Sequence, residues 1–435
     1  MTVTGGRPAP GGQEPGTGGE EPGTGGGSHG TGVRTEARQW WPGLISGASD
    51  VDPTTVATIA VVGSTTVYGL SWLTLLVFPM LAIVQAISTH LGVVTHDDLQ
   101  RCARRHFGRP ARLVLLVSVV AVATVTVGAD LSGGAAALSI LFGTGPSLLV
   151  VPVAIVAVVL ITTGSYQRLE GFLRVAVLSL FAYVVALFLV HVDWAAVLRS
   201  TVIPTMRWNN DWTSGALALI GTTLTSYVFV WQTIEDREDA PDLEVLPRRR
   251  RGATAGMAVG VLSFWSILIV TGATLGTHHR RVETAEQAAQ ALRPVAGSAA
   301  TTLFAIGLLA SALVALPVIM ATCGVMVGSE FGFGTGLSKS FREVPRFHAV
   351  VVAVAAIGCG IALSGVSPIR LLFVSGILAG FGTPVALIAL LVAASNGRVM
   401  HHHPISMPLR VGGWAVTTVV TAACGLFVAQ QVHLF

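Results

Sequence analysis

From Trp40 to its end the chain is built of apolar runs of about 20 residues separated by short polar segments. A helix of about that length spans the ~30 Å hydrocarbon core of a bilayer, so the pattern predicts an all-α membrane protein. Eleven transmembrane helices are expected, near residues 43–67, 71–93, 112–142, 147–164, 169–192, 213–234, 253–276, 299–328, 347–364, 369–395 and 411–431. The third and eighth are long enough to tilt or to end outside the hydrocarbon. Residues 1–38 break the pattern: they are rich in Gly, Pro, Thr and Glu, with near-repeats E-P-G-T-G-G at Glu14 and Glu21. Such a segment has too little apolar surface to fold and lacks the apolar core of a signal peptide. It is expected to be a disordered cytoplasmic tail ahead of a transmembrane domain over 39–435.

The polar interruption at the head of the first span is the most informative one. Gly47 to Thr58 reads G-A-S-D-V-D-P-T-T-V-A-T. Pro53 cannot donate a helical hydrogen bond and disfavours helix at Asp52, so the span should unwind there. An Asp at mid-membrane costs about 2.5–3.5 kcal/mol on insertion scales. Two readings account for it. In one, a polar kink is capped by its own Asp and Thr side chains. In the other, Asp50, Asp52, the hydroxyls of Ser49, Thr54 and Thr55, and freed carbonyls form an all-oxygen cluster suited to a hard cation. Secondary transporters pair one broken helix with a second in the matching position of an inverted half. The sixth span carries the weaker signal, L-I-G-T-T-L-T-S-Y-V-F-V-W-Q from Leu219 to Gln232. Hydroxyl residues in helices often only back-bond to their own turn; the match in position favours a shared site.

Composition narrows the classes. Charged residues make up 11% of the 435, against about 25% in soluble domains. Cys102, Cys323, Cys359 and Cys424 are scattered singly and read as packing residues. The basic residues are dispersed among short loops, which argues against nucleic acid as a partner. With the N-terminus inside, only Arg199, Arg207, Arg280, Arg281, Arg293 and Arg370 of the 26 basic residues fall on the outer side. The positive-inside rule then places the N-terminus in the cytoplasm of a multi-pass cell-membrane protein and, with eleven spans, the C-terminus outside. The loop from Glu235 to Arg251 and the triplet His401–His403 read as solvated polar segments, and Trp40, Trp41, Trp208 and Trp212 as interfacial anchors. No nucleotide-binding motif or catalytic constellation is present, so an enzyme or primary pump is not expected.

Several stretches resemble the NRAMP family of divalent-metal transporters, in order over most of 43–430. They are D-P-T-T-V-A-T at Asp52, L-G-V-V-T-H-D-D-L at Leu91, G-A-D-L-S-G-G-A-A-A-L-S-I-L-F-G at Gly128, R-L-E at Arg168, T-L-F-A-I-G-L-L-A at Thr302, V-S-G-I-L at Val374 and S-N-G-R-V-M at Ser395. The resemblance implies a LeuT-like fold: inverted five-helix repeats over about 43–192 and 213–395, plus an eleventh helix over about 411–431. It also implies a metal site between the broken first and sixth spans. Asp52 takes the place of the family's metal-binding aspartate, Ser49 and Thr222 those of carbonyl ligands, and Asp130 that of an acidic residue on an ion pathway. The family's asparagine ligand is Thr55 here, and its M-P-H is Thr225-Ser226-Tyr227. A hydroxyl therefore replaces the soft thioether that suits transition metals. Asp50, where the family has no acid, either supplies compensating charge or faces an aqueous vestibule.

The lost acidic residue at Gly133 and the histidines replaced by Tyr227 and Gln232 point to weak or absent proton coupling. The expected function is a secondary-type carrier of divalent cations, magnesium first and manganese next, needing no cofactor. The alternatives are a symporter of an organic amine or amino acid on the same architecture and a receptor-like protein that binds metal without moving it.

Overall fold

The structure, a computed structural model, describes residues 52–163, 182–239, 244, 246–293, 297–336, 339 and 341–432. Among the described residues it is all-α. The helices are α1 (Pro53–Thr66), α2 (Ser71–Thr95), α3 (Leu99–His106), α4 (Arg109–Phe142), α5 (Pro146–Thr162), α6 (Trp194–Val202), α7 (Asn210–Thr223), α8 (Ser226–Asp239), α9 (Leu246–Thr274), α10 (Ala285–Gln290), α11 (Ala300–Phe331), α12 (Pro345–Ala362), α13 (Pro368–Ser395) and α14 (Met407–Val432). Among the described residues, eight stretches, with α7 and α8 counted as one, are long and apolar enough to cross a membrane; α5 is apolar but shorter. Most of the expected fifth span, and everything ahead of Asp52, lies outside the described residues.

The helix starts follow from local chemistry. Proline opens α1, α4, α5, α12 and α13, where its missing N–H costs nothing. Gly143 and Gly332 close α4 and α11 in the left-handed conformation that glycine adopts without strain. The sixth-span segment is 94% buried along its most apolar stretch and α14 only 22%. The pair α7–α8 is therefore the centre of the bundle and α14 its lipid-facing rim. Around that centre α1 is enclosed by α7, α9 and α13, while α4 packs against α11 and α13. Gly221 lets α7 approach the backbone of α13 closely: a Cβ there would lie 2.1 Å from the Gly376 carbonyl oxygen and 2.4 Å from the Gly380 nitrogen.

Three sequence expectations need correction. Where it is described, the segment from Glu235 to Arg251 is helical at both ends rather than a solvated loop: α8 runs on to Asp239, and α9 begins at Leu246 and carries the arginines. Part of its charge is internal, with Asp236 fully buried against Arg249 at 2.6 Å, while Glu238, Glu244 and Arg251 are exposed. Trp212 is 6% exposed and packs in the protein core, whereas Trp208, 56% exposed, keeps the exposure of an anchor. Thr54 leaves the expected oxygen cluster and turns to the third span, as described below.

Candidate functional site at two broken spans

Asp52 is the N-cap of α1. Its Oδ1 accepts the Thr55 amide at 2.6 Å, satisfying one of the donors that a helix start leaves unpaired. The carboxylate is 1% exposed. The positive end of the helix dipole and this amide stabilise its charge where solvent does not. The second break lies between α7 and α8, at Leu224 and Thr225. There the last carbonyls of α7 lose their helical partners, and side chains replace them. Thr225 Oγ1 donates to the Thr222 carbonyl at 2.7 Å and to that of Gly221 at 3.0 Å. Thr383 of α13 donates to the Leu224 carbonyl at 3.0 Å.

The two breaks touch. Thr55 Oγ1 lies 2.8 Å from Thr222 Oγ1 and donates weakly to the Thr222 carbonyl at 3.4 Å. Tyr227 of α8 donates its hydroxyl to Asp52 Oδ2 at 2.6 Å. Asp52, Thr55, Thr222 and Thr225 are thus gathered in one buried cluster, which presents one carboxylate, hydroxyls and helix-end carbonyls. Ser49 and Asp50 lie outside the described residues. Among the described residues no three His, Cys, Asp or Glu side chains converge. The donors therefore suit a hard ion bound through few charged ligands rather than a cage of carboxylates, thiolates or imidazoles.

Asp130, in the middle of α4, is tied to the first turn of α1 by Thr54 rather than to the cluster itself. Its Oδ1 accepts the Thr54 hydroxyl at 2.7 Å and the Thr54 amide at 3.2 Å, while Oδ2 has no partner among the described residues. The helices come this close because position 133 is glycine: a Cβ there would sit 3.2 Å from Pro53 Cβ.

The cluster separates two unlike faces. On one side a cavity of about 800 Å³ is lined by Val61, Thr65, Asp211, Arg281 and Arg370, among others. Val61 is nine residues, about 13 Å of helix, beyond Asp52. On the other side charges close the packing. Asp98, the fully buried N-cap of α3, accepts Arg237 at 2.5 Å, Ser329 Oγ at 2.7 Å and the Arg101 amide at 2.9 Å. Glu330 accepts Gln100 at 2.9 Å and pairs with Arg112 at 3.1 Å. Asp97 pairs with Arg105 and Arg101, yet burial, outweighing those half-solvated guanidiniums, holds its carboxyl above the usual carboxylate range.

Sequence reasoning passed over Tyr227 as the donor to Asp52, Thr54 as the bridge to Asp130, and Thr383. Tyr227 follows the sixth-span break closely enough to have been suspected. Thr383 lies 159 residues from its partner and gave no local signal.

A family model for natural resistance-associated macrophage protein-like proteins matches residues 43–430. The divalent metal cation transporter MntH of Caldanaerobacter subterraneus subsp. tengcongensis is 28% identical over 396 residues, covering 88% of this chain and 91% of that protein. The one from Bacillus subtilis is 24% identical over 390 residues, covering 88% and 89%. Among solved structures, a mutant of the Eremococcus coleocola manganese transporter superposes with a TM-score of 0.70 at 18% identity, over 92% of this chain and 87% of that one. Mhp1, a nucleobase-cation-symport-1 family transporter in a closed conformation, gives 0.58 at 15% identity over 90% and 91%. These two share the fold. With the family model matched across nearly all of its transmembrane region, this chain belongs to the Nramp family.

Proposed function

We propose that this protein carries divalent metal cations across the cell membrane by alternating access, with Asp52 as the charged ligand. One observation carries the reading: the buried Asp52 carboxylate stands where two broken spans meet, beside the hydroxyls of Thr55, Thr222 and Tyr227. Thr55, Thr222 and Thr225 supply neutral oxygens, Ser49 and Asp50 complete the site from the chain ahead of Asp52, and Asp130 lies on the ion pathway. Residues 1–38 form a cytoplasmic tail and 39–435 the transport unit, with the N-terminus inside and the C-terminus outside. The names of the relatives, divalent metal cation and manganese transporters, support the substrate class. An organic amine draws no support from them.

Within that class magnesium is the favoured cargo and manganese its competitor. Magnesium is usually bound by one or two carboxylates with several waters kept, and hydroxyls give no advantage to a softer ion. Coupling to protons is weak or absent. An electrical gradient suffices, because two charges crossing 100 mV gain about 4.6 kcal/mol. Uptake into proteoliposomes, with magnesium and manganese in competition and internal pH recorded, tests the reading. Magnesium influx that follows a potassium-diffusion potential without internal acidification is expected. Manganese influx unaffected by excess magnesium, or strict co-transport of protons, contradicts the finer assignments; binding without any flux contradicts transport itself.

A further inference from the structure

Thr58 closes the polar stretch at the head of the first span, and it differs from every other hydroxyl residue of α1. Ser64, Thr65 and Thr66 each donate to a carbonyl of their own helix, as hydroxyls in helices often do. Thr54 donates to Asp130, and Thr55 reaches Thr222. Thr58 is fully buried, and its Oγ1 has no hydrogen-bond partner among the described residues. A buried polar atom left unpaired costs stability, so an oxygen kept in that state calls for a partner of another kind.

Its position indicates which. Val61 of α1, Ser214 of α7 and Phe373 of α13 line the cavity of about 800 Å³. One turn inward on the same helix faces stand Thr58, Ala218 and Gly376, ahead of Thr55 and Thr222. The three meet: a Cβ on Gly376 would lie 3.2 Å from Thr58 Oγ1, 3.2 Å from the Ala218 carbonyl oxygen and 3.6 Å from Thr222 Cβ. The glycine thus leaves room for one small group flanked by two oxygens, between the cavity and the Asp52 cluster. Thr58 lies three residues, about 4.5 Å of helix, beyond Thr55, whose amide holds Asp52 Oδ1. A magnesium ion about 2 Å from the carboxylate, a water about 2 Å beyond it and a hydrogen bond of about 2.8 Å cover that interval.

Magnesium usually keeps several of its waters, and waters held inside a protein need polar partners of their own. We propose that Thr58 is a further cation-binding residue, whose Oγ1, together with the Ala218 carbonyl, accepts a hydrogen bond from a water retained by the divalent cation on Asp52. The proposal rests on the reading of Asp52 as the cation ligand, and it makes the site one for a partly hydrated ion.

The test compares magnesium influx into proteoliposomes by wild type, Thr58→Val and Thr58→Ser, together with the thermal midpoint of each in detergent. Thr58→Val keeps the shape and deletes the oxygen; its half-saturating magnesium concentration should rise about fivefold, the weight of one neutral hydrogen bond. Thr58→Ser retains the oxygen and should stay within about twofold of wild type. The midpoint of Thr58→Val should hold or rise, because the deleted atom has no partner in the fold. Half-saturation unmoved by Thr58→Val, equal losses in the two variants, or wild type without magnesium influx overturns the proposal. A lowered midpoint or failed folding of Thr58→Val overturns it too, since the hydroxyl would then be a structural one. Asp52→Asn examines the underlying reading separately: it should abolish influx, and retained influx removes the ligand itself. Abolished influx in Asp52→Asn beside an unmoved Thr58→Val removes only the water-holding role.

Discussion

Replacing Asp98 by Asn tests whether the closed face of the bundle is held by charge. Asn retains the side-chain oxygen that caps α3, so the Arg101 amide keeps its acceptor. What is lost is the anion facing Arg237 at 2.5 Å, together with the acceptor for Ser329. Removing one partner of a buried pair costs about 3–5 kcal/mol, because the remaining charge stays desolvated. Arg237 is 10% exposed and keeps Glu238 at 3.4 Å, which together set the expectation at the lower end, about 3 kcal/mol. An unfolding entropy of about 2 cal/mol/K per residue over the membrane domain turns this into a fall of about 4 °C in the thermal midpoint. The midpoint is read from the monodisperse peak surviving a heating series in detergent. Adding Arg237→Met should recover part of the loss, since the stranded cation is gone and its apolar stem is replaced. An unchanged midpoint for Asp98→Asn, or a double variant worse than both single ones, refutes the closed pair.

Other perturbations probe the site and its supports. Thr225→Met should raise the affinity for cadmium or manganese relative to magnesium, as a thioether favours softer ions; an unchanged competition ratio in the uptake assay places residue 225 away from the cation. Gly221→Ala should cost at least about 1–3 kcal/mol, since its methyl would meet the backbone of Gly376 and Gly380 rather than a side chain that can turn aside; an unaltered thermal midpoint removes that contact from the account. Burial pushes the Cys102 thiol up to about 12, so with the other three cysteines changed to serine, folded protein should resist iodoacetamide at pH 8 and react once unfolded. Stoichiometric labelling of the native form contradicts this.

How much the chain disclosed depended on how local each signal was. Apolar run length marks a bilayer-spanning helix within a single window, so most spans were legible to within a few residues. The first break was equally plain, since Asp52-Pro53 writes a helix start into adjacent residues. At the sixth span the hydroxyl cluster pointed to the right turn but not to its wiring. Thr225 back-bonds to its own helix end while Thr55 crosses to Thr222, a division that depends on how α1 meets α7. The charged segment from Glu235 to Arg251 misled because composition alone cannot distinguish a solvated run from one paired internally. Its partner Asp98 lies 139 residues from Arg237 in sequence. Tyr227 was noted as a lost histidine, and its contact with Asp52 emerged only with the packing of α8 against the start of α1.

The most direct test of the central claim is divalent cation flux by Asp52→Ala in proteoliposomes, measured beside wild type for magnesium and for manganese under the same membrane potential. The account predicts that flux of both ions disappears while the variant elutes as a folded, monodisperse protein. Undiminished flux of either ion through folded Asp52→Ala would contradict it.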